Sequence, residues 1–141
     1  MNIDELRERL DALFPQLVDE LSQLVAIPSV SSDPSHAVDV DRSAEHIRSR
    51  FEALGLDAQI HSVTTPEGVQ GKPAILARSP HIEGAPTVLL YAHHDVQPTG
   101  DLARWHSDPW VTVVKGDRIY GRGTSDDGAG VIVHLGSLSL L

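Results

Sequence analysis

The chain has 141 residues, 40% of them hydrophobic but only 4% aromatic, enough for one globular domain whose core is built from Leu, Val, Ile and Ala. Its formal net charge is −9 and no Lys/Arg cluster occurs, so the basic face that a nucleic-acid partner requires is missing and the balance suits a soluble protein. The absence of cysteine excludes disulfides and thiolate ligands, leaving His and carboxylate as the side chains able to hold a metal.

Met1 to Leu10 is charged and amphipathic, without the apolar stretch of a signal peptide, and no apolar run approaches membrane-spanning length. A cytoplasmic protein with no membrane partner is the expectation. Leu6, Leu10, Leu13, Leu17, Leu21 and Leu24 recur at three- and four-residue steps, which predicts a helix from Ile3 to Ala26. Pro15 interrupts it, either kinking the helix or opening a second one. Ile27 to Ser32 then forms a loop. A second helix is expected over Asp39–Leu54, with Ala44, Ile47, Phe51 and Leu54 as its buried stripe and Gly55 as its stop. Asp57–Val63 reads as a strand, Thr64–Gly71 as a hairpin or loop, and Pro73–Arg78 as the return strand.

Thr87-Val88-Leu89-Leu90-Tyr91 is continuously β-prone and mostly apolar, which predicts a central strand buried on both faces. A long loop follows, carrying Trp105 and Asp108-Pro109-Trp110. Val111–Val114 and Arg118–Tyr120 are expected to form a hairpin around Lys115-Gly116-Asp117. From Gly128 or Ala129 the chain reads as helix, with Val131, Ile132, Leu135, Leu138 and Leu141 on its apolar side. It closes on Leu140-Leu141 without a capping residue or polar last turn, as a helix cut short would. Strands alternating with helices point to an α/β layer fold.

Chemistry concentrates in two places. His93-His94-Asp95 follows the predicted strand, where ligands bind in open α/β sheets. Asp126-Asp127 follows Gly121-Arg122-Gly123 about thirty residues later. The two loops are placed to converge on one metal. On extended backbone, residues two apart face the same way, so Asp95 is positioned to accept a hydrogen bond from the His93 nitrogen that does not hold the metal. His94 would face away. Taken singly, His-x-Asp is common, and Asp-Asp in a Gly-rich turn is more often a helix N-cap pair. A catalytic zinc site takes three protein ligands and an open position; the sequence offers two.

Tyr91-Ala92-His93-His94-Asp95-Val96-Gln97-Pro98 resembles the first signature of the zinc aminopeptidase/carboxypeptidase-like family M20. Trp105, Asp108-Pro109-Trp110 and Arg118 to Asp127 resemble its continuation in order and spacing, and Ile27-Pro28-Ser29-Val30-Ser31 its N-terminal segment. The Val-Gln-Pro and Asp-Pro-Trp details are most similar to the dipeptidase branch. The resemblance implies a central mixed sheet flanked by helices, the N-terminal portion of a zinc-exopeptidase-like catalytic domain. Residues 1–141 would be a partial catalytic domain, with the C-terminal half and the lid and dimerisation domain beyond them.

The resemblance also implies roles. His93 would ligate one metal, Asp126 would bridge a co-catalytic pair, and Asp95 would be the catalytic-site carboxylate that orients His93. Asp127, Gly121 and Gly123 would support the site, with a cis peptide between Asp126 and Asp127. Gly128 stands where many relatives carry Lys. The implied cofactor is Zn2+, two ions per intact site, although such ligands also suit Mn2+ or Co2+. The implied reaction is cleavage of a dipeptide amide bond by a metal-activated water, in an enzyme whose intact relatives are homodimers. The alternatives are a deacylase of N-acyl amino acids and a catalytically inactive fragment. The fragment reading arises because the family takes its general-base Glu and remaining ligands from later sequence, and no Glu follows Glu83 here.

Overall fold

The computed structural model describes residues 2–141. Helix α1 (Ile3–Val25) starts at a capping box. Asn2 Oδ1 accepts the Glu5 N–H at 2.9 Å, and Glu5 Oε2 accepts the Asn2 N–H at 3.0 Å. The helix runs unbroken through Pro15. Pro15 is exposed, so the carbonyl it leaves without an intrahelical partner lies on the solvent side. The leucine stripe is buried only at its C-terminal end, at Leu21 and Leu24 with Val25 beside them. Leu10, in the first half of α1, is 39% exposed.

Helix α2 (Ala37–Ala53) begins two residues earlier than expected and buries Val40, Ser43, Ala44 and Ile47. Leu54 lies past its end and is exposed rather than part of the stripe. Gly55, at φ +83°, terminates the helix and donates its N–H to Glu52 O at 2.8 Å. Strands β1 (Asp57–His61) and β2 (Ala74–Arg78) pair antiparallel with Asp57 opposite Arg78 and His61 opposite Ala74. Strands β3 (Val113–Lys115) and β4 (Arg118–Tyr120) form the expected second hairpin, turning at Gly116. Helix α3 (Gly128–Ser139) returns against α1. The core joins Leu21, Leu24 and Val25 of α1, Ile47 of α2, and Val131, Ile132 and Leu135 of α3, with Ile75, Ala92 and Ile119 packed against it. No helix among the described residues is long and apolar enough to cross a membrane.

The fold is α/β as expected, but its sheets are two separate antiparallel pairs. The segment expected to be the central strand makes no ladder among the described residues. Val88, Leu89 and Tyr91 are 75%, 86% and 80% exposed. A strand exists only through its neighbours, and residues 87–91 have none among the described residues. His134 of α3 tethers the end of the segment, its Nε2 lying 2.9 Å from the Tyr91 carbonyl oxygen.

Candidate metal centre

Three serines far away in sequence set the path of residues 93–96. The loop after α1 lies beside them: Val96 N–H donates to Ser29 O at 3.0 Å, and Ser29 Oγ donates to His94 O at 2.8 Å. Ser29 is only 1% exposed, so this bracket is dry and its polar groups must pair with one another. Ser31 Oγ donates to Asp95 Oδ2. Ser43 of α2 lies 3.1 Å from His94 Nδ1, while His94 Nε2 lies 3.1 Å from the Pro73 carbonyl. That carbonyl can only accept, so His94 Nε2 carries the proton that faces it. His94 is thereby a structural tie between α2 and the approach to β2. Sequence reasoning left all three serines without a role. Ser29 and Ser31 fall in the segment that carried the family resemblance, which was the available signal; nothing in the sequence marked Ser43.

The same bracket sends the His93 ring elsewhere. Its Nδ1 lies 3.0 Å from the Asp95 carbonyl and 3.3 Å from Asp95 Oδ1. Its Nε2 lies 3.1 Å from Asp126 Oδ1. Each nitrogen therefore faces an acceptor, and only the doubly protonated ring satisfies both. Burial pulls the imidazole toward a lower pKa, but the Asp95 carbonyl and the Asp126, Asp95 and Asp127 carboxylates outweigh it and hold the ring above the ordinary histidine value of 6.5. His93 and Asp126 are 41% and 76% exposed at their side chains, so solvent screens this pairing.

Asp126 is presented by the turn that precedes α3. Arg122 N–H donates to Pro109 O at 2.7 Å, and the Arg122 guanidinium lies 5.3 Å from the centre of the Trp105 ring, so the Trp105 to Trp110 loop braces the turn. Gly121 packs closely on Val25. Gly123 sits at φ +79°, and a Cβ there would lie 2.5 Å from Val96 Cγ1. Both facts demand glycine. Gly123→Ala is expected to cost about 1–3 kcal/mol, read as a lower denaturant midpoint at unchanged m-value. The Asp126–Asp127 peptide is cis, as expected. Asp127 Oδ2 accepts the His93 N–H at 3.1 Å, which ties the two loops directly. Its carboxylate lies over Gly130, where a Cβ would come within 2.3 Å of Oδ1. Gly130 is thus a second position that the sequence did not mark.

The donor pair matches what a divalent cation accepts. Ligand bonds of about 2.0–2.2 Å from one imidazole and one carboxylate place the donor atoms roughly 3 Å apart, close to the separation found. Among the described residues no group of three or more His or carboxylate side chains is arranged to hold a metal. His93 and Asp126 converge, Asp95 and Asp127 flank them, and no third ligand joins them among the described residues.

A pH prediction follows from the raised His93 value. The ion pairs of the charged ring contribute stability fully below pH 6.5 and lose it as pH rises through the higher folded value. Metal binding has the opposite sign, because Nε2 must first release its proton. In an NMR titration of the metal-free chain, His93 is expected to titrate above 6.5, and Asp126→Asn to bring it down; a value unmoved by that substitution contradicts the pairing.

The fold is the α/β arrangement of solved dipeptidases. The di-peptidase Dug1p from Saccharomyces cerevisiae superposes with a TM-score of 0.87 at 28% identity, over 96% of this chain and 30% of its own. The sequence pattern of Peptidase family M20/M25/M40 matches residues 89–141, which hold His93, Asp95, Asp126 and Asp127. A cysteinylglycine-S-conjugate dipeptidase from Corynebacterium striatum is 34% identical over 89% of this chain and 27% of its own length. A Cys-Gly metallodipeptidase from Schizosaccharomyces pombe is 33% identical over 90% and 28%. The chain thus spans less than a third of the length of these relatives.

Proposed function

We propose that residues 2–141 supply one His–carboxylate pair of the metal centre of an M20-type hydrolase that cleaves the amide bond of dipeptides. The observation that carries this is the approach of His93 Nε2 to Asp126 Oδ1 at 3.1 Å across two loops 33 residues apart. Zinc is the metal that the family resemblance implies, and the same His and carboxylate donors also suit manganese or cobalt. A bound divalent metal supplies Lewis acidity toward a scissile carbonyl and makes a water more acidic.

The chain's own residues do the rest. His93 offers Nε2 once its proton has left, and Asp95 holds the Nδ1 side so that the ring stays aimed. Asp126 offers a carboxylate, and Asp127 pins the His93 backbone through its amide. The names of the two relatives, both dipeptidases for cysteinylglycine substrates, support a small peptide as the substrate class.

The test is a chimera in which residues 2–141 replace the aligned segment of the Corynebacterium striatum relative. It is assayed on a dipeptide panel and an N-acyl amino acid panel with zinc, manganese or cobalt. Metal-dependent dipeptide hydrolysis, lost on His93→Ala, is the expected result. A chimera that folds and holds metal but leaves dipeptides intact contradicts the proposal, and one that cleaves only N-acyl amino acids moves it to deacylation.

A further inference from the structure

We infer that Ser31 is a positioning residue for the candidate metal centre, acting through Asp95 on His93; the inference rests on the metal reading above. Asp95 has two carboxylate oxygens with different tasks. Oδ1 stands 3.3 Å from His93 Nδ1, and Oδ2 accepts the hydroxyl of Ser31, 64 residues earlier in the chain. The terminal torsion of an aspartate is broad and roughly two-fold, so one contact alone leaves the carboxylate plane loosely held. A donor on the second oxygen fixes the plane, and with it Oδ1, which faces Nδ1 beside the nearer acceptor, the Asp95 carbonyl oxygen at 3.0 Å. Hydrogen bonds to an ionised carboxylate are among the stronger ones, which suits a single hydroxyl to this task.

Ser31 does not reach Asp95 by chance of a mobile loop. The backbone of residues 29–31 is held in register with residues 94–96 by the Val96 N–H to Ser29 O bond and the Ser29 Oγ to His94 O bond. Given that register, the hydroxyl two residues past Ser29 meets the carboxylate one residue past His94. The resulting line runs Ser31, Asp95, His93, Asp126: a hydroxyl that aims a carboxylate, which aims a ring, which faces the second metal donor. Ser31 touches no reacting atom itself.

The experiment compares the chain with Ser31→Ala, Ser31→Thr, Asp95→Ala and the Ser31→Ala/Asp95→Ala double variant. Two quantities are read: zinc affinity, and the low-field proton signal of His93 Nδ1–H in the metal-free protein. Ser31→Ala is expected to weaken zinc by roughly a few-fold, less than Asp95→Ala because the carboxylate itself remains, and to broaden the Nδ1–H signal through faster exchange with water. Ser31→Thr, which keeps the hydroxyl, restores both. In the Asp95→Ala background the loss of Ser31 adds nothing, because both changes cut the same line. Wild-type affinity and signal in Ser31→Ala overturn the inference. So does an equal loss with and without Asp95, or a failure of threonine to restore. If His93→Ala leaves zinc binding unchanged, the metal reading itself has failed, and the Nδ1–H signal still decides whether Ser31 acts on His93.

Discussion

Supplied with zinc, the 141-residue chain on its own is expected to release no amino acid from dipeptides above the uncatalysed background. A carboxylate must take the proton of the attacking water and return it to the leaving amine. No glutamate follows Glu83, Asp126 faces His93 Nε2 as the second candidate ligand, and the other two aspartates near the ring are engaged. Asp95 accepts from Ser31 and faces the His93 ring, and Asp127 accepts the His93 N–H. Loss of a general base alone removes a factor of roughly 10²–10⁴. The metal side compounds this, because no three-donor group is found among the described residues. Single-turnover assays with each metal read the outcome. Metal-dependent hydrolysis that disappears on His93→Ala contradicts it and shows that a base exists which the geometry has not revealed.

Asp95→Ala is expected to weaken metal binding by about tenfold, within the 10- to 100-fold range for groups that hold a ligating histidine. The lower end applies because the Asp95 backbone carbonyl, 3.0 Å from Nδ1, survives the substitution and still accepts that proton. The carboxylate contributes the second acceptor at 3.3 Å and the link to Ser31. The expected accompaniment is a lower His93 pKa, since Asp95 is among the groups that raise it. Metal affinity and imidazole titration both equal to wild type show that Asp95 serves only the backbone.

Local periodicity carried the helices. α1 and α3 fall within a residue or two of their expected bounds because their apolar steps and a starting glycine turn are local signals. The first hairpin was legible for the same reason. The segment from Thr87 to Tyr91 was not, because burial on both faces is a property of neighbours; its composition asks for two flanking strands that the described residues do not supply. The site divides likewise. The His93–Asp126 approach was legible because both loops carry recognisable residues at fixed offsets. The Asp95 contact was half legible: the spacing placed the residue correctly, but the nearer acceptor is its carbonyl rather than its carboxylate. Ser43 and Gly130 were invisible, and Ser29 and Ser31 were marked only by the segment to which they belong. Their roles come from contacts made 65, 64 and 51 residues away for the serines, and from the fold of a neighbouring carboxylate for the glycine.

The most direct measurement is a cobalt or zinc titration of the purified chain beside His93→Ala and Asp126→Ala, followed by calorimetry and, for cobalt, by its visible spectrum. If His93 and Asp126 share a cation, the wild-type chain binds it saturably, more tightly as pH rises through the His93 value, and each variant loses that binding. Binding of the same affinity and pH dependence in all three proteins contradicts a shared site and reduces the 3.1 Å approach to an ordinary hydrogen bond.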